Sequence, residues 1–108
     1  MTAPLVSVLM PVYNATDTLP ETLQSIQIQT LEAFEIIAVD DGSEDVSLRL
    51  LEAWRDQDQR LIISPQPHRG LIDTLNTGVS LCRGEFIARM DADDLMHPER
   101  LEKQCALL

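Results

Sequence analysis

Apolar β-type runs alternate with amphipathic helical segments four times along this chain. That alternation predicts an α/β fold, a mostly parallel sheet with helices on both faces. Three observations carry the prediction. The runs "LVSVLM" (5–10), "FEIIAV" (34–39), "LIIS" (61–64) and "EFIARM" (85–90) are almost continuously apolar, as strands buried on both sides must be. Each is followed by residues with helical apolar spacing. No repeat, linker or low-complexity stretch interrupts the order, and 108 residues make at most one domain.

Taken in order, the first strand ends at Pro11. Thr18 and Glu21 then have capping-box spacing, Pro20 falls in a first turn, and Leu19, Leu23 and Ile26 form the inward stripe. After "DDGS" a second helix is expected from near Ser43, with Val46, Leu50, Leu51 and Trp54 inward. The third strand gives way to a Pro-rich loop, "PQPHRG". The third helix should bury Ile72, Leu75, Val79 and Cys82 and stop at Gly84. The last helix starts at "HPER", with Leu101, Cys105 and Leu108 inward.

The bulk numbers exclude several classes. A net charge of −10 leaves no basic stripe for nucleic acid. No apolar run approaches the ~20 residues of a membrane span, and the N-terminus lacks the basic region of a signal peptide, so a cytoplasmic setting is expected. Cys82 and Cys105 are too few and too separated for a zinc motif, and read as small core thiols.

The polar residues fall at strand ends, where an open parallel sheet binds its ligands. "PVYN" (11–14) follows the first strand, "DDGS" (40–43) the second, His68 and Arg69 the third, and "DADD" (91–94) the fourth. Clustered carboxylates repel unless they share a cation. Asp91 and Asp93, at i and i+2, would point the same way from a strand end and suit a hard divalent ion, Mg²⁺ or Mn²⁺. Asp94 would then be free to meet substrate or begin the next turn. An acidic loop capping the last helix is the plainer alternative. At "DDGS" a carboxylate could accept a ring N–H or a ribose hydroxyl, and Gly42 would let a ligand approach the backbone. Tyr13 could stack on a base and Arg69 could meet a phosphate, although alone a loop Tyr is more often a surface packing residue and a lone loop Arg is usually just solvated.

As an ordered set, "VSVLMPVYN", "FEIIAVDDGS", "GLIDTLNTGVSLCRGEFIARMDADD" and "HPERLEKQ" resemble the start of the family 2 glycosyltransferases, inverting enzymes with the GT-A fold. The resemblance covers nearly the whole chain. It implies a Rossmann-like three-layer fold, a nucleotide-diphosphate sugar donor (a UDP-sugar first) and a divalent cation. On that likeness Pro11 belongs to the nucleotide-sugar site, Tyr13 flanks the base, Asp41 or its neighbour Asp40 pairs with it, and Arg69 lies near the donor. Asp91 and Asp93 match the metal and diphosphate signature. The acceptor would be a glycan or lipid-linked sugar, and the general base is expected beyond Leu108, where family domains continue. Residues 1–108 would then be the donor-binding half, truncated after the D-x-D segment and inactive in transfer. The fourth strand should lie at a sheet edge, which a second copy could cover. Whether a longer parent enzyme attaches to the inner face of the membrane is left open.

The rival is a two-component receiver domain, in which Asp40 and Asp41 bind Mg²⁺ and Asp94 in "DLMHP" accepts a phosphoryl group. That reading leaves "PVYN" without a role and lacks the later Thr and Lys strand ends.

Overall fold

The computed structural model describes residues 3–107. Strands β1 (Val6–Val12), β2 (Phe34–Asp41), β3 (Leu61–Gln66) and β4 (Phe86–Arg89) alternate with helices α1 (Leu19–Gln27), α2 (Ser47–Gln57), α3 (Leu71–Leu81) and α4 (Arg100–Leu107). The strands form one parallel sheet in the order β3-β2-β1-β4. The expected α/β architecture is therefore present, and β4 lies at an edge.

Strand alternation divides the interior into two cores. Val6, Val8, Met10 and Val12 of β1, with Phe34, Ile36 and Ala38 of β2, pack against Leu19, Leu23 and Ile26 of α1, Leu51 of α2 and Leu101 of α4. Leu50, Trp54 and Cys105 are half-buried against the same core, whereas Val46 is exposed. The smaller core, Leu9, Ile37 and Val39, meets Leu75 and Cys82 on the α3 side. Leu108 lies outside the described residues.

The strands outrun their expected ends. β1 continues through Pro11, because Leu9 O is the acceptor for Met90 N and β4 has ended before its ladder would need a proline N–H. β3 includes Pro65, which an edge strand tolerates. β2 absorbs both aspartates: Asp40 pairs in register with Val12 and Pro65, and Asp41 with Gln66. Successive strand residues face opposite ways, so this acidic pair is split across the sheet.

Two helix expectations change more. α2 begins at Ser47, four residues later than predicted, because Ser43 and Asp45 are occupied in a neighbouring loop. On α3, Ile72 and Val79 of the expected apolar stripe lie at the surface, Ile72 being 76% exposed. The face that packs carries Thr74 and Gly78 instead. A Cβ on Gly78 would come 2.1 Å from Leu9 Cδ1, so its bare backbone lets the helix close on the sheet. α3 also ends at Leu81, before Gly84. That glycine serves a close approach to β1, where an added Cβ would lie 2.6 Å from Ser7 N.

A buried cluster ties this turn down. Glu35 accepts from Ser7 Oγ at 2.6 Å, Arg83 N at 2.7 Å and Arg83 Nε at 3.0 Å. Gly84 N donates to Ser7 Oγ at 2.8 Å. Burial would raise the Glu35 pKa, but these donors and the Arg83 charge hold it below the usual carboxylate value.

Candidate functional site

The carboxyl ends of the strands surround a cleft of about 880 Å³. Pro11 from β1, Tyr13 from the loop after it, Asp41 from β2, His68 from the β3 loop and Asp91 with Asp93 after β4 all line it. Asp40, Arg69 and Asp94 do not. Asp40 is buried on the α1/α2 side, and its Oδ1 has no hydrogen-bond partner.

Much of the polar chemistry at "PVYN" and "DDGS" joins the two loops to each other. Asn14 N donates to Ser43 Oγ at 2.9 Å, and Glu44 N returns a bond to Asn14 Oδ1 at 2.8 Å. Ala15 N donates to Ser47 Oγ and Thr16 N to Asp45 Oδ2. Burial would raise the Asp45 pKa, yet bonds from Ser47 and Thr16 leave its carboxyl far below the ordinary range. Asn14 takes φ +48°, a left-handed conformation asparagine tolerates better than most residues.

Asp41 organises the next wall. Its Oδ1 accepts from Gln66 Nε2 at 2.9 Å and Arg69 N at 2.8 Å, and its Oδ2 from Gly70 N at 3.0 Å. These bonds use three of about four acceptor directions on the carboxylate. The fourth, on Oδ2, faces His68 Nδ1 at 3.0 Å. Nδ1 also lies 3.1 Å from Asp41 O, so it carries the proton and donates there. Gly42 corrects an expectation. Its φ is +71°, and an added Cβ would sit 2.6 Å from His68 N. The backbone that closes on Gly42 is thus the protein's own β3–α3 loop, not a ligand.

The acidic cluster is a turn. β4 ends at Arg89, and Asp94 N donates to Asp91 O at 3.1 Å. Asp91 and Asp93 therefore do not alternate along a strand end as expected, and a tight turn brings the carboxylates together. Asp91, Asp93 and Asp94 can each place an oxygen within 4.8 Å of the others, all of them exposed, and they are the one such acidic group among the described residues. An all-oxygen, water-accessible donor set of this kind fits Mg²⁺ or Mn²⁺. Arg89 Nη2 lies 3.3 Å from Asp91 Oδ1 and balances part of the charge.

What fixes this turn escaped the sequence reading. Ala92 is buried, and its carbonyl accepts from Thr18 Oγ1 at 3.0 Å and Thr22 Oγ1 at 2.9 Å. Thr18 makes no side-chain cap to α1, so the expected capping box does not form and its hydroxyl holds the D-x-D turn instead. Further along, Met96 N donates to Ser25 Oγ, while Gln29 Nε2 donates to His97 O at 2.7 Å and Gln29 Oε1 accepts from Leu101 N. Thr18, Thr22, Ser25 and Gln29 recur at helical spacing. Only a search for polar periodicity could have found them.

A three-layer sheet with this cleft at its carboxyl rim is the GT-A class of fold, and solved structures agree. TarS from S. aureus in complex with UDP superposes with a TM-score of 0.87 at 30% identity, over 94% of this chain and 31% of that one. The mannosyltransferase PcManGT from Pyrobaculum calidifontis, in complex with GDP-Man and Mn²⁺, gives 0.80 at 28% identity, over 88% of this chain and 29% of that one. An uncharacterized glycosyltransferase of Haemophilus influenzae is 45% identical over 101 residues, 93% of this chain and 31% of its own length. The glycosyl transferase family 2 model matches residues 7–108. The chain belongs to that family. It spans about a third of the length of these relatives. The receiver alternative is not favoured, since Asp94, its phosphoacceptor, and Asp40, one of its two Mg²⁺ ligands, do not line the cleft. No described helix is long and apolar enough to cross a membrane.

Proposed function

We propose that residues 1–108 are the donor-binding part of a glycosyltransferase that moves a sugar from a nucleotide diphosphate to an acceptor hydroxyl with inversion. The observation that carries this reading is the convergence of Tyr13, Asp41, Asp91 and Asp93 on one cleft. Tyr13 flanks the base, Pro11 lies beside the nucleotide, and the Asp41 carboxylate pairs with the base. Asp40 and Arg69, outside the lining, are left with supporting roles near the donor. Asp91 and Asp93 hold the divalent cation, with Asp94 beside them. A Mg²⁺ or Mn²⁺ there would neutralise the charge that builds on the departing diphosphate. The base that deprotonates the acceptor, a glycan or lipid-linked sugar, belongs to sequence beyond Leu108. A cytoplasmic setting suits two free, half-buried thiols.

The test is calorimetric titration of UDP into the chain with and without Mn²⁺, repeated on Asp93→Asn. Mn²⁺ should tighten UDP binding, and the variant should lose most of that gain, about tenfold or more in affinity. GDP and dTDP follow in the same cell. A folded chain that binds none of the three sinks the reading.

The β4 edge extends the proposal to a homodimer. Ile87 is exposed there, and its peptide group faces away from β1, as the pairing of Phe86 N and Met90 N with β1 requires. Two copies joined along so short a strand would associate weakly. Light scattering should therefore give a mass that rises with concentration; a constant monomer mass rules the dimer out.

A further inference from the structure

We propose that His68 is a positioning residue for the nucleobase, a buttress that sets the Tyr13 ring and leaves its other face for stacking. The inference rests on the donor reading above and deepens it.

Tyr13 stands in the β1–α1 loop, 46% exposed, and its ring centroid lies 4.4 Å from that of His68 with the planes tilted by 31°. At that separation nothing fits between the rings, so one face of the tyrosine is already covered. Aromatic pairs in such contact gain from dispersion and quadrupole alignment beyond the area they bury. His68 is itself anchored. Its Nδ1–H donates to Asp41 O, and its backbone lies where the missing side chain of Gly42 leaves room. Asp41 is held in turn by Arg69 N, Gly70 N and Gln66. A rigid line therefore runs from the end of β2 through the imidazole to the phenol ring. The same Nδ1 also lies 3.0 Å from Asp41 Oδ2. A ring held in advance saves the ordering cost of fixing it when ligand arrives.

The opposite arrangement, a base that displaces His68 and takes its place against Tyr13, predicts the reverse effect of truncation. UDP affinity in the presence of Mn²⁺, measured on His68→Ala, His68→Phe, Tyr13→Ala and the Tyr13→Ala/His68→Ala pair, separates the two. His68→Ala should weaken UDP about fivefold, and His68→Phe, which keeps a ring there, should stay within about twofold of the parent chain. On the Tyr13→Ala background, the histidine truncation should cost nothing further. Because the imidazole is more than half exposed, thermal melts of the two His68 variants should fall only a few degrees below that of the parent, and by similar amounts. Unchanged or tighter binding by His68→Ala overturns the proposal and leaves the donor reading standing. An equal loss with and without Tyr13 overturns it as well. If the folded parent chain binds none of UDP, GDP and dTDP, the donor reading falls and takes this one with it.

Discussion

Asp41→Ala is expected to cost about 3 kcal/mol of folding stability, because three donors lose their acceptor together and hydrogen bonds to a charged group are worth ~1.5–3 kcal/mol each before relaxation. Two of those donors, Arg69 N and Gly70 N, precede the first turn of α3, where a carboxylate complements the positive helix end. The third, Gln66, also bonds Thr74 Oγ1 at 3.1 Å, so the loss spreads into the helix face that packs on the sheet. Urea denaturation reads the cost directly. Asp41→Asn, with one oxygen left to accept, should recover part of it. A loss below about 1 kcal/mol for the alanine variant would mean the β3–α3 loop is held by something else.

The same carboxylate links stability to pH. Burial raises its pKa, but the bonds from Gln66, Arg69 and Gly70, with the nearby His68, outweigh that and leave it below the usual 3.8. The unfolded chain therefore takes up protons first on acidification. The contribution of Asp41 is complete above its unfolded pKa and is lost as pH falls through the lower, folded value. Glu35, Asp45 and Asp58 are shifted the same way. The parent chain should lose stability steeply below about pH 4, and Asp41→Ala less steeply.

Gly84→Ala should cost at least about 3 kcal/mol, more than a typical surface substitution by a wide margin. The added methyl would lie 2.6 Å from Ser7 N and 2.7 Å from Val6 C, both in the backbone of β1, which is paired on both sides. No rotamer relieves that clash. The turn must lift, and in lifting it pulls Gly84 N from Ser7 Oγ and Arg83 from the buried Glu35. β4 hangs on this turn, and the acidic cluster follows β4. A variant that melts within a degree or two of the parent would show that the turn has slack.

The main features of the sheet were legible because parallel strands buried on both faces leave continuous apolar runs, as in "FEIIAV". Strand ends were less so. Pro11 and the two aspartates read as loop residues, yet ladder geometry with their neighbours keeps them in strands. α3 was misread for a different reason. Leu75 and Cys82 of the expected stripe do meet the sheet, but the buried contact is made by Thr74 and Gly78, small residues that leave no apolar period, while Ile72 and Val79 imitate one on the outer face. At the site, the convergence of strand-end motifs was visible. What Thr18, Asn14 and Ser43 do was not, since a hydroxyl or amide that binds its own protein looks in sequence like one waiting for a ligand.

The hold of α1 on the D-x-D turn has a consequence for anyone who would move that turn elsewhere. Asp91 and Asp93 grafted onto a foreign strand end would arrive without the donors that the Ala92 carbonyl accepts. The transferable module is a loop together with the polar stripe of a helix some 70 positions upstream in the chain. Its parts are inherited as one piece although they are written far apart.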